Sequence, residues 1–213
     1  MEYIQWATRF IVDGGIFMYI ILAVLAFALA IALERFKKLS FTYDVDGPSF
    51  MNELQRYVLS NDIQGAIRIC SGTTAALPKV LKSGLKRANQ SSDQVQNAID
   101  ATALEMIPKI EKRLGYLALA ANMSTLLGLL GTIQGLIISF SAANVATPAQ
   151  KSEVLAKGMA IALNTTAMGL VVAIIIMMIH AFLSSKSEKI ICEIDEFSVK
   201  LLDLLGSKKP IDD

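Results

Sequence analysis

Two threonines, Thr132 and Thr166, stand near the middles of two long uncharged runs, and hydroxyls are most of the chemistry those runs possess. A hydroxyl donates one hydrogen bond and accepts two, so it can hold water or part of an ion's shell. It does not titrate near neutral pH. Neither run contains Asp, Glu, Lys or Arg, and the lone histidine, His180, lies close to the end of the second run, where it reads as an interfacial residue. A proton relay through hydrocarbon needs an ionisable carrier at depth. Two roles are therefore open to the threonines. They line a hydrated route for an ion whose carrier comes from another chain, or they pack helix against helix. Enzymatic roles lack their parts: there is no nucleophile–base arrangement and no phosphate-cradling loop. Cys70 and Cys192 are far apart, without metal-ligand spacing, and read as small buried hydrophobes. No cofactor or metal is expected.

The elements that position the threonines follow from periodicity. At 100° per residue, Ser124, Thr125, Gly128, Gly131, Thr132, Gly135 and Ser139 fall within about 60° of one line on a helix. The leucines and isoleucines between them point mostly elsewhere. In the next run Ala162, Thr166, Gly169 and Ala173, with Gly158, gather within about 80° of a second line, while Asn164 and Thr165 point to other sides. In lipid, such small faces let backbones approach closely and let hydroxyls bond across the contact. Each helix is built for a protein neighbour.

The hydropathy pattern sets these helices in a membrane. The chain is 54% hydrophobic and 18% charged, with a net charge of +1 that suggests no nucleic-acid surface. Residues 1–13 read as a short interfacial helix with Trp6 at headgroup depth; their net negative charge argues against a cleaved signal peptide. Residues 14–33 form a first span, 114–143 a second and 158–185 a third, each long enough to cross about 30 Å of hydrocarbon. Residues 34–113 read as a cytoplasmic helical domain, with breaks near Ser60-Asn61, Ser71–Thr74 and Asn89–Ser92, Pro48 in a loop, Pro78 at a helix start and Pro108 as a kink. Ser91 and Gln94 offer a capping box. Residues 144–157 form a short periplasmic hairpin, and 186–213 a cytoplasmic amphipathic helix and tail. Arg35, Lys37, Lys38, Lys109, Lys112, Arg113, Lys186 and Lys189 outnumber the cations at the other membrane face, which puts the N-terminus outside and the C-terminus inside. The fold class is an all-α integral membrane protein whose second and third spans extend into the cytoplasmic helical domain.

Leu-Gly-Leu-Leu-Gly-Thr-Ile-Gln-Gly at 127–135, together with Ala-Leu-Asn-Thr-Thr-Ala-Met-Gly-Leu at 162–170, resembles the paired signature of the MotA/TolQ/ExbB proton-channel family. The three-span layout is similar to its ExbB and TolQ branch. The resemblance implies a homopentamer in a bacterial inner membrane, with the second and third helices around a central pore. It also implies a partner of the ExbD/TolR type, each copy with one membrane span bearing an essential aspartate. Ion flow then drives the partner as a motor. Under this resemblance Thr132 and Thr166 match the pore-facing threonines, and Gly131, Gly135 and Gly169 match positions of close helix approach. Two positions depart: Ile161 stands where ExbB and TolQ carry a glutamate, and Thr125 where they carry a proline. The alternative from the residues alone is a non-conducting scaffold that positions partner helices.

Overall fold

The computed structural model describes residues 14–207, so the expected interfacial helix at 1–13 and the final residues lie outside it. All its regular elements are helical: α1 (Gly15–Lys37), a π-helical turn (Lys38–Tyr43), α2 (Gly47–Leu59), α3 (Ile63–Ser71), α4 (Ala76–Leu85), α5 (Ser92–Glu111), α6 (Leu114–Val145) and α7 (Lys151–Gly206). Three helices are long and apolar enough to cross a membrane. The chain divides into two compact units, one of residues up to Leu33 with Arg113–Ala181, the other of Glu34–Lys112 with Phe182 onward.

In the first unit α1 contributes Met18, Ile21 and Ala28 to the interior, α6 contributes Leu117, Ala121 and Ser124, and α7 contributes Ala162, Val172 and Ile176. Leu126, Leu129, Ile133, Ile137, Leu163 and Ile174 are exposed, as suits side chains solvated by lipid tails. The connector between α6 and α7 is short: helix resumes at Lys151, so residues 151–157 belong to α7.

The second unit is a helical cluster around Leu54, Val58, Leu77, Leu81, Ile99, Ile110 and, from α7, Ile190, Ile194 and Leu201. Ser91 and Gln94 form the reciprocal capping box that starts α5. Pro48 lies in the first turn of α2 rather than in a loop, where its missing N–H has no helical partner to lose. Pro108 sits inside α5, and the chain breaks later, at Arg113, whose φ of +65° is left-handed. The Arg35 guanidinium is 1% exposed and donates to the carbonyls of Ile110 and, at 3.3 Å, Lys109. These are orphan carbonyls of the last turn of α5, at the negative end of its dipole. Lys186 bonds Ser40 and Asp44 at 3.1 Å each, tying α7 to the π-helical turn.

The cysteines differ from one another. Cys70 is buried and Cys192 exposed, so the expectation of two buried thiols holds for Cys70 alone. The exposed stripe of α7 that carries Cys192 also carries Glu188 and Asp195, which turn it to water. Burial pushes the Cys70 thiol from the ordinary 9.0 up to about 12, against a smaller opposing pull from Lys82. A folded-state pKa above the unfolded one stabilises the fold fully below pH 9, and that contribution is lost as pH rises towards 12. At neutral pH a maleimide is expected to label Cys192 quickly and Cys70 only on unfolding. Equal labelling of both thiols in the folded protein would contradict this burial.

Candidate ion pathway at the contact of the second and third spans

Helices α6 and α7 lie against each other along their small residues, and the contact is tight enough to be read atom by atom. A Cβ placed on Gly169 would stand 2.6 Å from the Ser124 carbonyl oxygen and 2.9 Å from the Gly128 Cα. One placed on Gly128 would meet the Thr166 Cα at 3.2 Å and the Gly169 Cα at 3.3 Å. Further along, Gly135 faces Ala162 and Gly158 faces Ser139, whose Oγ occupies the space a Cβ would take. At Gly169 the obstructing atoms are backbone, so no side chain fits without moving a helix.

At the centre of this seam the Thr132 and Thr166 hydroxyls hydrogen-bond each other. Each also reaches the Gly128 carbonyl, Thr166 at 3.0 Å and Thr132 at 3.2 Å. Both residues are half-buried, so the pair sits at the margin of the packed face. The other hydroxyls of the seam bond back one turn: Ser124 to Ala120 at 2.9 Å and Ser139 to Gly135 at 2.5 Å. Back-bonding satisfies a hydroxyl inside lipid at little cost. The seam has hydroxyls and backbone carbonyls but no group able to carry a proton at neutral pH. It can solvate an ion or orient a carboxylic acid that arrives from elsewhere.

Of the residues assigned to the small faces, Ser124, Gly128, Gly131, Ser139, Ala162, Gly169 and Ala173 are buried, while Gly135 is intermediate. Thr125 is exposed and donates to Ala121 at 3.4 Å, so it stands off the packed face despite its place in the period. Gly131 turns towards α1 and Thr165 rather than along the Thr132–Thr166 line, with the Phe17 Cβ 3.5 Å from where its own Cβ would be. Periodicity set Thr165 aside as pointing elsewhere; it is 1% exposed and belongs to a three-helix contact. The signal that would have found it is Gly131, since a Cβ placed there would clash with the Thr165 side chain of α7. Ile161, at the position of the family's glutamate, is exposed at 37%.

The family model of the MotA/TolQ/ExbB proton channel family matches residues 73–196. The chain is similar to an ExbB homologue among the biopolymer transport proteins of Methanothermobacter thermautotrophicus, at 26% identity over 86% of this chain and 64% of that one. It is also similar to a Synechocystis ExbB-like protein, at 28% identity over 81% of this chain and 68% of the other. The chain thus spans about two thirds of the length of these relatives. Among solved structures, that of C. jejuni MotAB shares the fold, with a TM-score of 0.53 over 91% of this chain and 81% of that one, at 13% identity. The model match runs from the helical domain through both seam helices, more than half of the 213 residues; this chain belongs to the MotA/TolQ/ExbB proton channel family.

Proposed function

We propose that the chain is the channel subunit of a membrane motor, converting ion-motive force into mechanical work through a single-span partner of the ExbD/TolR type. The observation that carries the reading is the Thr132–Thr166 hydroxyl pair, half-buried at the edge of a seam without acid or base. A hydroxyl pair so placed can order water against a carboxyl group, and the partner's aspartate supplies that group and carries the proton. Family membership and the MotAB likeness support the general kind of machine. On this reading five copies enclose the partner helices in a cytoplasmic (inner) membrane, with the C-terminus inside.

Thr132→Val and Thr166→Val test it. Reconstituted with the partner, each variant is expected to lower partner-dependent ion flux by about tenfold or more, since an interaction lost at a desolvated site removes about 1–3 kcal/mol. Assembly should persist, because valine keeps the volume of threonine. Unchanged flux in both variants would sink the conducting role. It would favour the second reading, a scaffold, for which the specific support is that both hydroxyls already have partners within the chain.

A further inference from the structure

Thr165 is adjacent to Thr166, yet its hydroxyl goes to a different helix. Its one proton is shared between two carbonyls, that of Gly14 at the start of α1, 3.2 Å away, and that of Ile161 in its own helix, 3.1 Å away. Its methyl fills the hollow left by Gly131 of α6. Successive helical residues point about 100° apart, so the two threonines divide the labour: Thr166 fastens α7 to α6, and Thr165 fastens α7 to α1. The carbonyl it holds precedes Gly15, which adopts a φ of +69° that a side chain would resist.

We propose that Thr165 is a positioning residue for the ion path: by bolting α7 to the head of the first span, it fixes the rotation of α7 about its axis and so the direction of the Thr166 hydroxyl. The inference rests on the proposed conducting role of Thr166. The geometry makes the coupling steep. At roughly 5 Å from the helix axis, a turn of about 15° carries a side-chain oxygen through about 1.3 Å, half the length of a hydrogen bond. Valine at 165 would fill the space but leave the Gly14 carbonyl without its donor; serine would keep the donor and lose only the methyl.

The test uses the chain co-purified with its single-span partner in proteoliposomes, with flux read per complex under an imposed proton gradient and, separately, a sodium gradient. Thr165→Val is expected to lower flux per complex by about tenfold, and Thr165→Ser to stay within about twofold of the parent. Val172→Ala, a fully buried position on the same helix without a hydroxyl, should lower the melting temperature and leave flux per complex unchanged. Should Thr165→Val fail to assemble, Thr165→Cys, with a weakly donating thiol, takes its place against Thr165→Ser. Parental flux in Thr165→Val or its cysteine substitute overturns the proposal, as does an equal loss in Val172→Ala. If Thr132→Val also leaves flux intact, the conducting role itself has failed; if Thr132→Val lowers flux and Thr165→Val does not, only the positioning role has.

Discussion

Gly169→Ala is expected to push the second and third spans apart and to lower the melting temperature of the purified protein by several degrees. Two effects oppose each other. Alanine gains up to about 1 kcal/mol of helix propensity over glycine. Its Cβ, however, would stand 2.6 Å from the Ser124 carbonyl oxygen and 2.9 Å from the Gly128 Cα, and both are backbone atoms that move only if a whole helix moves. Overpacking of that kind costs about 3 kcal/mol, so the clash wins by about 2 kcal/mol. Gly128→Ala should be milder, since its nearest contacts are at 3.2–3.3 Å. Gly115→Ala supplies the control: nothing lies within 4 Å of its added carbon, and propensity alone should act. Thermal unfolding of the three variants in one detergent checks the order, and a Gly169→Ala protein as stable as Gly115→Ala would contradict the close approach.

The second large effect belongs to the other unit. Arg35→Met should destabilise it by about 2–4 kcal/mol, because charge-assisted hydrogen bonds are lost and buried carbonyls at the end of α5 are left without their donor. Methionine preserves much of the volume, so packing contributes little to the loss. Arg35→Lys keeps the charge but not the fork and should fall between the two. Amide hydrogen exchange at the C-terminal turn of α5, together with thermal unfolding, gives the readout. Parental protection in Arg35→Met would show that the carbonyls are served by other donors.

How far the sequence carries depends on which force sets each feature. Uncharged runs of sufficient length make spans whatever their neighbours do, and the Ser91–Gln94 box needs only four consecutive residues. The pairing of Gly128 with Gly169 was half legible: periodicity finds the face but not its occupant, which proves to be the same chain's third span. Thr165 and Arg35 were not legible as bolts. Their partners, Gly14 and Ile110, are 151 and 75 residues away, and a backbone carbonyl leaves no trace in residue type. Thr125 erred the other way: it lies within the angular sector, yet the contact is narrower than the sector and leaves it outside. Pro108 lies inside α5, as a kink rather than a stop implies, and the break in the run from Ser91 comes at Arg113, whose left-handed backbone no residue type announces.

The lack of any fixed charge in the α6–α7 seam bears on how a cell keeps its membrane sealed. A proton relay through hydrocarbon needs a titrating group at depth, and these hydroxyls and carbonyls offer none. On the proposed function, copies without the single-span partner should therefore pass no protons, and overproducing this chain by itself should not depolarise the cell. Single-channel recording from the chain alone should show no more current than the bare bilayer, as the proposed dependence on a partner's acid requires.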